Sequence, residues 1–136
     1  RDLTEWIVRL AENGTTGDFH GVGPDYRLTM GEMLEQIGTV VSTPFELTWV
    51  PEDFLESHGV APWRDLPTWI PGDALMFVTY EKAVDAGLTF RPLSVTAHDT
   101  LEWDKTRPAE ERENRGFGWS REREREILQA WNASQV

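Results

Sequence analysis

The stretch from Leu28 to Val41 constrains the fold of this chain more than any other. Thr29-x-x-Glu32 is a capping box, in which a hydroxyl and a carboxylate satisfy each other's backbone donors at a helix start. Met30, Met33, Leu34, Ile37 and Val41 then recur on one face at helical spacing. A helix with such a face must pack it against a core, and the methionines read as core filler in preference to a cofactor pocket.

Other elements flank it. Leu3, Trp6, Ile7 and Leu10 share one face of an expected helix from Arg1 to Asn13, with Asp2 at its first turn and Gly14 at its end. Phe45, Leu47 and Trp49 alternate with Glu46 and Thr48, the pattern of a strand with one buried face. Pro51 opens a short helix that Gly59 stops. Between Val60 and Gly72, Pro62, Pro67 and Pro71 forbid regular structure, while Trp63, Leu66 and Trp69 are too apolar to stay solvated. Residues 104–119 are dense in charge and carry Pro108, Gly116 and Gly118, as a flexible connection does. Ser120 then caps a terminal helix over 120–133, with Ile127, Leu128 and Trp131 as its apolar stripe.

Seven Trp, six Phe and 39% apolar residues give the 136-residue chain the mass of a single folded domain. No apolar run approaches the roughly 18 residues of a membrane helix, and no signal-peptide core opens the chain, so a soluble, cytoplasmic protein is expected. The net charge of −11 repels phosphate backbones and anionic lipids, which disfavours nucleic-acid and membrane partners. The absence of Cys excludes disulfides and thiolate chemistry, and with three dispersed His a metal site has little support.

One longer pattern runs from Ile70 to Trp103. It comprises Pro71-Gly72-Asp73, an apolar segment from Met76 to Thr79, Lys82-Ala83, Gly87, Phe90-Arg91-Pro92 and a helix reaching Trp103. In order and spacing it resembles the C-terminal, substrate-side part of an extended short-chain dehydrogenase/reductase, the NAD(P)-dependent epimerase/dehydratase family. The Arg1-Asp2-Leu3 opening resembles that family's helix after the sixth strand of the nucleotide-binding sheet. With Arg1 in place of Met, the chain is expected to be a fragment whose catalytic portion lies upstream.

Thr16 to Gly23 formally matches T-G-x-x-x-G-x-G, the family's dinucleotide signature. A phosphate loop, however, needs a buried strand before it and a helix beginning within it. Here a helix and Gly14 precede, Pro24 follows, and the next helix signal waits until Thr29. The resemblance instead aligns Gly17-Asp18-Phe19-His20 with a Gly-x-aromatic-Asn strand, with Gly23-Pro24 as its exit turn.

The family's Tyr and Lys four residues apart share a helix face, so that the ammonium lowers the phenol pKa. Met30 lies four residues after Tyr26 and Val84 four after Tyr80, so no such pair is present. Tyr80 and Lys82, two apart, diverge around a helix. His98-Asp99-Thr100 are consecutive and cannot converge as a triad. No residue is assigned as catalytic, cofactor-binding or metal-binding.

The resemblance implies a small mixed α/β domain of five or six helices with two to four short strands, Phe19 and Phe45 to Val50 among them: the C-terminal lobe of a Rossmann-type dehydrogenase. It further implies a small-molecule substrate and NAD or NADP bound by an N-terminal nucleotide-binding domain, with no cofactor in this fragment. The substrate-lining candidates are Trp63, Trp69 and Arg91, although both tryptophans are equally readable as plugs of the chain's own core. Ile70 stands where nucleotide-sugar enzymes of the family often carry a phosphate-binding Arg, which argues against a nucleotide diphosphate sugar. The competing expectation is a self-contained acidic interaction module built on the Trp-rich loop. Self-association through uncovered apolar surface is expected of the isolated fragment.

Overall fold

A computed structural model of the chain describes residues 1–72, 78–113 and 116–135. Among them the regular structure is entirely helical: α1 (Asp2–Glu12), α2 (Met30–Gly38), α3 (Glu52–Ser57), α4 (Glu81–Asp85), α5 (Leu93–Thr106), α6 (Ala109–Glu113) and α7 (Arg121–Ser134). The expected mixed α/β lobe is therefore corrected to a helical architecture without a sheet among the described residues. The nearest approach to a ladder is an isolated bridge between Pro62 and Leu66.

Phe45 to Val50 shows why alternation misleads. Pro44 and Pro51 bracket the stretch and no strand lies beside it among the described residues, so its backbone groups have no ladder to join there. Phe45 and Trp49, expected on a buried face, are 52% and 61% exposed. Phe19 is half-buried in irregular chain, where it meets the Trp6 ring edge-on at 5.4 Å. The expected strand from Met76 to Thr79 lies in part outside the described residues, as does Asp73 of the expected turn; Val78 and Thr79 are irregular.

The chain forms two compact units, each from two segments: Arg1–Pro44 with Leu75–Thr106, and Phe45–Ala74 with Arg107–Val136. In the first, α2 packs against α5. The Thr29 box closes as its sequence requires, with Thr29 N donating to Glu32 Oε2 at 2.8 Å and Glu32 N to Thr29 Oγ1 at 3.3 Å. That unit's core is Trp6, Ala83 and Leu88, flanked by Leu10, Phe19, Ala86 and Phe90. In the second, Leu55, Val60 and Ile127 form the core, flanked by Val50, Phe54, Leu66, Trp69 and Trp119.

Both cores are seeded by the same local device. After α3, Gly59 takes φ 69°, so that Gly59 N donates to Glu56 O and Val60 N to Leu55 O. After α4, Gly87 takes φ 88°, with Gly87 N on Val84 O and Leu88 N on Ala83 O. This left-handed ending brings the residue after the glycine back against the last helical turn. The pairs so joined, Leu55 with Val60 and Ala83 with Leu88, are themselves core residues.

Among the described residues no helix is long and apolar enough to cross a membrane.

Candidate functional site

The sequence candidates fall in different units, Arg91 in the first and the two tryptophans in the second.

Arg91 follows Phe90, which packs beside Trp6, and its guanidinium turns toward the start of α1. Its Nε donates to Asp2 Oδ1 at 2.6 Å, its backbone N donates to Asp2 Oδ2 at 3.0 Å, and Nη2 also pairs with Oδ1. Asp99 Oδ2 lies 3.6 Å from Arg91 Nη1 and accepts from Arg1 Nη1 at 2.9 Å. The guanidinium bonds hold the Asp2 carboxyl below its ordinary range, and the same contact raises Arg91. These residues line an open recess of about 370 Å³ with Leu3, Thr96, Thr100 and Trp103. Two arginines face two aspartates there, so an anion reaching Arg91 must compete with carboxylates already in place. Arg91 is placed as a tether joining α1 to the chain 89 residues away.

His98, Asp99 and Thr100 do not converge. Asp99 is engaged by Arg1, His98 Nδ1 lies 3.8 Å from it, and the Thr100 hydroxyl donates to Thr96 O. Lys82 Nζ donates to Asp18 O at 2.7 Å and sits 4.8 Å from the centre of the Phe19 ring. It pins the 17–19 segment to α4.

The glycines from Thr16 to Gly23 face protein side chains. A Cβ on Gly21 would lie 2.8 Å from Leu3 Cδ1, and one on Gly23 would lie 1.9 Å from Phe90 Cε1. No helix begins within the segment, since α2 starts at Met30. The small residues thus admit Leu3 and Phe90 to the backbone, which accounts for the glycine pattern without a phosphate.

In the second unit the two tryptophans divide. Trp69 is half-buried against Leu55, Val60 and Ile127. Trp63 is 65% exposed and sits at φ 62°, a conformation that costs a residue with a side chain about 1–2 kcal/mol. Contacts across the loop hold it. Trp63 N donates to Trp69 O at 3.0 Å, Ala61 N to Asp65 Oδ2 at 2.7 Å, and Gly118 N to Arg64 O at 2.7 Å. Arg64 grips Asp65 through Nε and Nη2 at 2.8 and 3.0 Å. That grip, followed by the Ala61 N–H, lowers the Asp65 carboxyl to about 2, so it is ionised at neutral pH. Sequence reasoning passed over Asp65, whose only local signal was an acid between Pro62 and Pro67 in a loop lacking regular hydrogen bonds.

Replacing Trp69 by Ala is expected to cost about 2 kcal/mol in urea unfolding, because a half-buried ring leaves the core. Trp63→Ala is expected to stay within about 0.5 kcal/mol, as an exposed position does. Equal losses would contradict the division.

Among the described residues no group of three or more His, Asp or Glu is placed to hold a metal ion. Comparison of the chain with protein-family models, with curated proteins and with solved structures returned no match.

Proposed function

We propose that this chain is the substrate-side part of an NAD(P)-dependent epimerase, dehydratase or reductase. A nucleotide-binding portion would supply the cofactor and the proton-transferring Tyr and Lys. The observation that carries the reading is a convergence. Asp2, Asp18, Phe19, Lys82, Ala83, Gly87, Phe90 and Arg91 bear most of the sequence resemblance across about ninety positions, and they belong to one packed unit tied by the Lys82–Asp18 and Asp2–Arg91 contacts, while Pro71 and Gly72 of the same pattern fall in the other unit. The proposal keeps the family's division of labour and does not depend on a sheet in this chain. Trp63 is its substrate-facing candidate, since Trp69 is spent on the core and Arg91 on Asp2. A substrate contacting the loop near Trp63 meets no uncommitted Arg64, which favours an uncharged group over a phosphate there.

The reading frame that encodes the chain tests this. A Gly-rich turn after a strand and a Tyr-x-x-x-Lys upstream of Arg1 are expected, and their absence from the encoded protein would refute the proposal.

The outward Trp63 also favours a second reading, an acidic interaction module in which that ring anchors a protein partner. It expects no nucleotide-binding portion in the same frame, and a partner lost on Trp63→Ala while folding persists.

A further inference from the structure

We draw no further inference here: the strongest candidate, the outward apolar face of α1 formed by Leu3, Ile7 and Val8, carries nothing because nothing in the structure shows what covers it.

Discussion

Trp6→Ala is expected to destabilise the first unit by about 3–5 kcal/mol, the range for removing a large aromatic ring from a core. Trp6 is 3% exposed and packs with Ala83 and Leu88. Its indole Nε1 donates to Ala86 O at 2.9 Å, at the end of α4. The substitution removes the ring that α1 contributes to the core and leaves the Ala86 carbonyl without that donor. Since small domains hold only about 5–15 kcal/mol in all, the loss is a large share of the total. Urea unfolding followed by circular dichroism reads it, and amide exchange at Ala83 and Leu88 locates it. Trp6→Phe separates the two contributions: the ring is largely kept and the hydrogen bond lost, for about 1–2 kcal/mol. A change below about 1 kcal/mol for Trp6→Ala would remove Trp6 as the organising residue.

Ile127→Ala is expected to cost the second unit about 2–5 kcal/mol. Ile127 is 2% exposed and is the buried residue that α7 contributes beside Leu55 and Val60. The cavity would open among rings that cannot all follow it, because Phe54 is fixed between His58, stacked at 4.0 Å, and Trp131, edge-on at 5.1 Å. Arg123 Nη2 on His58 O at 2.5 Å also holds α7 to the end of α3. Faster amide exchange in α3 and α7 is the expected signature, with a lower urea midpoint. Ile127→Val, which removes one methyl group, should cost about 0.5–1.5 kcal/mol, and the ordering of the two variants checks that burial is the cause.

Helix boundaries governed by local chemistry were legible. Thr29 opens α2, Pro51 precedes α3, and Gly14 and Gly59 follow helices that end where left-handed residues are needed. The stop of α2 at Gly38, short of Val41, was not, because apolar spacing continues past the last helical hydrogen bond. The strands failed for a different reason. Alternation at Phe45, Leu47 and Trp49 describes a face, whereas a strand also needs an edge to bond to, and that information lies elsewhere in the chain.

The candidate site divides in the same way. An aromatic loop from Val60 to Gly72 was readable from its prolines and tryptophans, but which ring turns inward depends on Leu55, Val60 and Ile127, brought together only by folding. Arg91 reads in the sequence as a possible anion contact, and the structure gives it carboxylate partners instead. Its closest partner, Asp2, is 89 residues away, and a pairing at that separation leaves no local mark.

Most of the residues that give this chain its dehydrogenase-like appearance build one structural unit, and the proposed function assigns the cofactor to a separate portion. Titration calorimetry of the chain with NADH and with NADPH is the decisive measurement. Phe90 and Leu3 occupy the approach to Gly23 and Gly21, and no helix begins within the Thr16 to Gly23 segment, since α2 starts at Met30. No saturable heat is expected with either dinucleotide, and micromolar binding of one of them would overturn the proposal and restore Thr16 to Gly23 as a phosphate loop.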